Sequence, residues 1–196
     1  EQVILKDERI GDLAFNRADS SLWGIRHYNG ISTIVRIAAP YTLWRQVWSL
    51  PYGKDLYDID ISPDGNALVG SLGEISGRQT LVSMITADLL AGDSSMTTLY
   101  DFGNAIPENF TFSPDGRFLW GASFYTGVSN VFRYVRESGA IVAFSNAETG
   151  FFRPTPVGAD SLFVFRFGAG GFQPMMIPQK EITDINPIKY LGQQVV

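Results

Sequence analysis

Short apolar segments alternate with turn residues along most of this chain. The clearest example reads FTFSPDGRFLWG over residues 110–121, where two apolar stretches flank a Ser-Pro-Asp-Gly tetrapeptide. Proline favours the φ of the second turn position, and Gly116 supplies the positive φ that a chain reversal needs. The pattern predicts a β-hairpin, and residues 59–70, IDISPDGNALVG, repeat it.

The hairpin is part of a larger repeated unit. Seven positions between residues 15 and 36 recur 97 positions later without a gap, and the hairpin at 59–70 lies 51 positions before its counterpart. A fourth, degraded copy follows, in which Leu162 stands 43 positions after Leu119. Repeats of about 40 to 50 residues indicate propellers or arrays.

Each unit contains four predicted strands, because apolar and β-branched residues alternate or cluster between Gly, Pro, Asn and Asp. We therefore expect an all-β fold, a β-propeller segment of about four four-stranded antiparallel blades. The blades are predicted at roughly 10–50, 56–102, 108–145 and 151–191, and residues 87–93 form a longer loop or one helical turn. The predicted strands are 10–16, 21–26, 31–37 and 43–50, then 56–62, 67–72, 79–85 and 96–102, then 108–113, 117–124, 129–135 and 140–145, and finally 151–157, 161–167, 172–177 and 185–191.

Two motifs carry a family resemblance. The sequences FSPDGR at 112–117 and ISPDGN at 61–66 resemble the repeat of TolB-type, WD-repeat-like β-propellers. The first and fourth units depart from it, with NRAD at 16–19 and PVGA at 156–159, so we expect those hairpins to turn differently. The resemblance implies a bacterial protein that is exported to the periplasm. It extends to the propellers of prolyl-oligopeptidase-type enzymes.

The number of blades bears on domain organisation. Most propellers of this type close with about six or seven blades, and an open array exposes blade faces and strand edges. Residues 3–5, VIL, read as the outer strand of a preceding blade, so we expect residues 1–196 to be a single propeller segment within a longer chain. The open edges then favour a homodimer. In the alternative, residues 3–5 complete the last blade of a closed four-bladed ring.

Composition and charge exclude several partners. The chain has 196 residues, 45% of them hydrophobic and 18% charged, with a net charge of −5. This balance argues against nucleic acid, which needs a clustered basic surface. No apolar run approaches the roughly 20 residues of a membrane span, and residues 1–7 lack the pattern of a signal peptide. The absence of cysteine excludes disulfides and thiolate metal sites and leaves the compartment open.

Four positions at the start of the innermost strands are predicted to line one end of the central channel. They are Asp12, Asp58, Asn109 and Phe152. Two carboxylates and an amide that converge could bind a cation, a basic peptide segment or a sugar. In the alternative reading, each carboxylate accepts a backbone N–H bond from the next blade and only sets the spacing of the blades.

Aromatic residues in the repeat have two predicted roles. Trp23 and Trp120 occupy equivalent second-strand positions, so we expect them in the core between blades. Trp44 and Trp48 lie four apart on an outermost strand and are predicted to point to one face. That face either meets a protein partner or a neighbouring domain, or packs under the adjacent loop.

Repeated charged residues are predicted to be structural. Asp64 and Asp115 belong to the turns of their own hairpins. Arg36 and Arg133 recur at equivalent positions, which favours hydrogen bonding between blades over an anion site.

Catalysis finds little support in the sequence. His27 is the only histidine, no Gly-x-Ser-x-Gly motif supplies a nucleophile, and no metal or nucleotide motif occurs. We expect no catalytic residues, no metal and no cofactor. The leading hypothesis is a non-catalytic scaffold that binds a protein, peptide or small ligand within a larger bacterial polypeptide. The alternative is the substrate-gating propeller of a prolyl-oligopeptidase-like serine peptidase whose catalytic domain lies elsewhere.

Overall fold

A computed structural model describes residues 5–183 of the chain as short strands with one short helix. The helix, α1, spans Thr86–Ala91, close to residues 87–93, for which the sequence predicts either a longer loop or one helical turn. The strands are β1 (Ile10–Asn16), β2 (Ser21–Tyr28), β3 (Ile31–Ile37), β4 (Arg45–Ser49), β5 (Lys54–Ile61), β6 (Ala67–Glu74), β7 (Gln79–Ile85), β8 (Thr97–Gly103), β9 (Pro107–Phe112), β10 (Phe118–Ser123), β11 (Asn130–Val135), β12 (Ala140–Ala143), β13 (Phe151–Val157), β14 (Ser161–Gly168) and β15 (Gly171–Pro178).

The strands form four antiparallel sheets in the order of the sequence. The first three sheets have four strands each, β1–β4, β5–β8 and β9–β12, and the fourth contains β13–β15. Consecutive sheets pack on one another, β1 on β5, β5 on β9, and β13 on β9 and β10. This is the predicted β-propeller segment, and the fold prediction is confirmed. The strand predicted at 185–191, and residues 3 and 4, lie outside the described residues.

Three apolar clusters fill the spaces between neighbouring sheets. The first contains Trp23 and lies between the first two sheets, the second is centred on Phe110, and the third contains Trp120. Trp23 and Trp120 are almost fully buried, as predicted. Each cluster draws side chains from two sheets, so no sheet could bury its apolar faces alone.

The Ser-Pro-Asp-Gly hairpins are held by their own polar side chains. In the third sheet the Asp115 carboxylate accepts hydrogen bonds from the Ser113 hydroxyl at 2.6 Å and from the Arg117 backbone N–H at 3.1 Å. Asp64 accepts the corresponding bonds in the second sheet. Gly116 has φ +71° and Gly65 φ +77°, as the turn requires. Both turn aspartates therefore serve their own hairpins.

A bulge interrupts every innermost strand. The pairing of β1, β5, β9 and β13 with the second strand of each sheet shifts by one residue near the middle. In the third sheet, Phe110 crosses over Gly121 of the second strand, and a Cβ atom there would lie 2.3 Å from the Phe110 ring. In the fourth sheet the equivalent positions are Pro154 and Val164, both buried. The repeated glycine thus makes room for the side chain that follows the bulge.

Candidate functional site

The two ends of the propeller differ in composition. We call the end at which β1, β5, β9 and β13 begin the mouth, and the opposite end, which carries the Ser-Pro-Asp-Gly turns, the hairpin end. Each bulge places one residue in the left-handed region at the mouth, with φ +48° at Asp12, +48° at Asp58, +52° at Asn109 and +49° at Arg153. Asp and Asn tolerate this conformation better than most side chains. The structure therefore gives the predicted Asp12, Asp58 and Asn109 equivalent places.

The fourth mouth position is occupied by Arg153, and the prediction of Phe152 was wrong by one residue. Leu119 pairs with Phe112 across the third hairpin, but Leu162 pairs with Pro156, one residue closer in sequence. Because the fourth hairpin is one residue shorter, counting back from the second strand by a constant offset passes the bulge by one residue. A guanidinium therefore replaces the ring expected at this position.

Asp58 and Asp60 connect the second sheet to the third. The Asn109 backbone N–H donates to Asp58 Oδ2 at 2.9 Å, and the Phe112 N–H donates to Asp60 Oδ2 at 2.8 Å. Burial raises the pKa of the Asp58 carboxyl; the Asn109 N–H bond opposes this rise, and the negative charge of Asp12 adds to it. Asp58 thus makes the bond between blades that the alternative reading of this site describes.

Glu108 is a third carboxylate at the mouth, beside Asp12 and Asp58. Its Oε2 atom is buried and has no hydrogen-bond partner among the described residues. Burial raises the pKa of the Glu108 carboxyl, the charge of Asp58 raises it further, and the charge of Arg153 lowers it. Glu108 also acts on Tyr57, whose phenol pKa rises through burial and the nearby carboxylates, Asp58 first. Three carboxylates and one guanidinium therefore influence one another at the mouth.

A cavity of about 440 Å³ lies at the mouth between the third and fourth sheets. Acidic, basic and aromatic side chains line it together. The lining residues are Glu108, Asn109, Phe152, Arg153, Phe165 and Phe172. A volume of this size falls within the range of small-ligand sites.

A run of aromatic rings borders this cavity. Phe152 contacts Phe124 and Phe172 edge to face, with ring centroids 6.1 Å and 5.2 Å apart, and Phe172 contacts Phe167 at 5.3 Å. Phe172 is 59% exposed. The rings thus form a continuous apolar surface that solvent reaches.

Comparison with solved structures relates this arrangement to known proteins. The chain is similar to TolB from Acinetobacter baumannii, with a TM-score of 0.72 and 13% identity over 90% of this chain and 43% of that one. It is also similar to a putative TolB from Agrobacterium tumefaciens, with a TM-score of 0.69 and 17% identity over 88% of this chain and 66% of that one. The chain has the fold of a TolB-type β-propeller. A puromycin hydrolase is a further match, with a TM-score of 0.64 and 11% identity over 91% of this chain and 30% of that one.

This TolB-type propeller spans about two thirds or less of the TolB chain and the putative TolB chain that it matches. No family model matches the sequence, and no curated protein matches it either. At identities this low, the likeness establishes the fold alone.

Three residues with the composition of a hydrolase triad meet between the first two blades of this propeller. The Ser32 hydroxyl donates to Asp55, and His27 Nδ1 lies 3.4 Å from both Ser32 Oγ and Asp55 Oδ1. A proton relay needs the serine on one ring nitrogen and the carboxylate on the other. Here the same nitrogen faces both groups, so the cluster links blades rather than activating a nucleophile.

Trp44 and Trp48 do not share one face of this propeller. The pairing of β3 with β4 shifts at Val47, and Trp48 packs against the first apolar cluster. The Trp44 indole N–H instead donates to Glu8 at 2.8 Å, with Arg26 stacked 5.0 Å from its ring. Binding of a partner at these residues stays a prediction.

The two repeated arginines have different surroundings. Arg36 pairs with Asp19 at 2.8 Å within its own blade, so the prediction of a bond between blades was wrong for this residue. Arg133 stacks on the rings of Phe144 and Phe118, and its Nε atom has no partner within residues 5–183.

Two classes of site receive no support from the described part of the chain. Residues 5–183 contain no group of three or more His, Cys, Asp or Glu side chains positioned to hold a metal ion. In the same range, no helix is both long enough and apolar enough to cross a bilayer.

Sequence reasoning missed Glu108 and Arg153 as residues of the mouth. Glu108 directly precedes Asn109, which was predicted, but nothing in the sequence shows that one of its oxygens is buried. Arg153 is identified only by the strand pairing, which shows that the fourth hairpin is one residue shorter than the third.

Proposed function

We propose that this chain is a non-catalytic binding scaffold that holds a protein or peptide partner at the mouth of its propeller. The observation that carries the proposal is the distribution of exposed aromatic side chains. Among residues 5–183, every exposed aromatic residue except Phe15 lies at the mouth. These residues are Tyr28, Tyr52, Phe124, Tyr125, Phe167 and Phe172.

Aliphatic residues extend the same surface. Ile75 and Ile106 lie in mouth loops and are 84% and 44% exposed. Exposed apolar patches of this kind mark interaction surfaces, and aromatic residues are enriched at the centres of protein interfaces. The hairpin end carries exposed aliphatic residues such as Leu43, and its one exposed aromatic residue within the described part of the chain is Phe15, beside the turn that follows β1.

Selection of displayed random peptides on the purified chain tests this proposal. Tyr52→Ser and Phe172→Ser remove exposed rings from the mouth, and each selected peptide should lose affinity for at least one of these variants. Leu43→Ser is the matched control, because Leu43 is 77% exposed at the hairpin end and Tyr52 is 78% exposed at the mouth. The proposal would be refuted if the selected peptides bound both mouth variants with unchanged affinity but lost affinity for Leu43→Ser. A selection that enriched no peptide would also refute it.

The likeness to a puromycin hydrolase supports a second candidate, the substrate-gating propeller of a serine peptidase. In that case a catalytic domain belongs to the same polypeptide. The coding sequence around this segment decides between the two, since a Gly-x-Ser-x-Gly elbow followed by Asp and His would favour the peptidase.

Export to the periplasm is the location that the TolB-type fold supports. Fractionation of cells that express the full gene tests it, and recovery in the cytoplasmic fraction alone would contradict it.

A further inference from the structure

The Glu108 side chain leaves one strong hydrogen-bond acceptor unused. Its Oε2 atom is out of contact with solvent and has no partner in residues 5–183, although buried polar atoms in folded proteins are almost always paired. Glu108 also lines the 440 Å³ cavity at the mouth. No hydrogen bond from residues 5–183 reaches the Glu108 carboxylate, so a donor that entered the cavity would meet an unpaired acidic group on its wall.

The charges around the cavity favour a cationic donor. Asp58 and Asp12 add negative charge along the same rim, and Arg153 is the nearby cation. Arg153 is exposed, makes no ion pair with any described residue, and its charge is screened by water. The Glu108 side chain is only partly exposed, so water screens its charge less than that of Arg153. The balance of these charges attracts a positive group.

The walls of the cavity suit a side chain with an apolar stem. Phe152 and Phe172 meet edge to face at 5.2 Å, and Phe165 completes the aromatic lining. Aromatic faces bind the methylene groups of Arg and Lys and interact favourably with their charge. With no group of metal-ligating side chains assembled in residues 5–183, an organic cation fits better than a metal ion.

We propose that this cavity receives an Arg or Lys side chain of the bound peptide, with the cationic group hydrogen-bonded to Glu108 and the stem against Phe152 and Phe172. The inference rests on the proposed function, because the cavity lies at the mouth. It narrows the partner to one that presents a basic residue to the third and fourth blades.

Nuclear magnetic resonance titration of the purified chain with two small probes tests the proposal. N-acetyl-L-arginine amide carries the cation, and N-acetyl-L-citrulline amide is its neutral counterpart of nearly the same shape. The arginine probe should shift the resonances of Asn109, Phe152 and Phe172 saturably. The citrulline probe should bind at least about tenfold more weakly, since it lacks the charge-assisted bond.

Two substitutions identify the group responsible. Glu108→Gln should abolish the preference for the arginine probe, whereas Glu137→Gln, the same charge change in the exposed turn between β11 and β12, should leave it intact. Phe172→Ala should weaken both probes alike, and it alters an exposed residue that the fold can spare.

Several results would overturn the inference. They are equal affinity for the two probes, a preference that survives Glu108→Gln, or shifts confined to another part of the chain. The inference would also be overturned if the peptides that bind the mouth contained no basic residue and bound Glu108→Gln as tightly as the wild type. That result would not contradict the proposed function. Failure of all peptides to bind the mouth would refute the proposed function instead.

Discussion

Gly121→Ala tests how the bulges and the second strands fit together. Gly121 lies on β10 beneath the Phe110 ring, and an ideal Cβ atom would stand 2.3, 2.4 and 2.6 Å from three ring carbons. Carbon atoms normally approach no closer than about 3.5 Å. The ring would therefore have to move by roughly 1 Å, the difference between these distances.

Phe110 has little space into which it could move. Its side chain is fully buried in the second apolar cluster, with the Phe102 ring 5.6 Å away. Overpacking in such a site costs about 1 to 3 kcal/mol, occasionally more, and we expect the upper end of this range. For a chain of this size, 3 kcal/mol corresponds to a fall in melting temperature of roughly 6 to 12 °C.

Urea unfolding followed by tryptophan fluorescence measures the change in the free energy of unfolding. Gly168→Ala is the matched control, because a Cβ atom there would meet no atom within 4 Å, and its midpoint should stay close to that of the wild type. Adding Phe110→Leu to Gly121→Ala should recover part of the loss. A Gly121→Ala variant that unfolds at the wild-type midpoint would refute this account of the repeated glycine.

Three further predictions follow from the turns, the buried carboxylates and the open faces. Gly116→Val forces a β-branched residue to φ +71° and should lower the free energy of unfolding by about 1 kcal/mol or more. An unchanged urea midpoint would mean that the turn does not need a positive φ at this position. Burial raises the pKa of the Asp60 carboxyl above 3.8 in the folded protein. The protonated carboxyl therefore contributes to the free energy of unfolding below pH 3.8, and this contribution is lost as the pH rises through the folded-state pKa. Asp60→Asn can still accept the Phe112 N–H bond, and its urea midpoint should rise relative to the wild type between acid and neutral pH; a constant difference would contradict this. In the fourth sheet Phe163 is partly exposed and Met176 is 49% exposed. Burial of these side chains favours self-association of the chain, which light scattering would detect. A compact monomer at high protein concentration would contradict the idea that the faces of the first and fourth sheets are open.

Much of the fold could be predicted because its determinants are local. The turn at Gly116 needs a residue that accepts positive φ, and the neighbouring Pro and Asp favour the same turn. The Ser-Pro-Asp-Gly tetrapeptide is therefore enough to predict the hairpin. Strand β1 spans Ile10–Asn16 as predicted, and β12 ends at Ala143, two residues before the predicted limit. Repetition of this unit then implied the blades, since one blade cannot bury its own faces.

The candidate site depended on pairing and packing that no single stretch of sequence contains. The sequence by itself determined that Asp12, Asp58 and Asn109 are equivalent, because they occupy the same place in the register of the repeats. Only the tertiary structure decided that Arg153 is the fourth member, since the length of a hairpin sets the bulge by strand pairing across the sheet. It also decided that one oxygen of Glu108 is buried and unpaired. Burial of a single atom depends on the folded chain around it, and no local sequence pattern reports it.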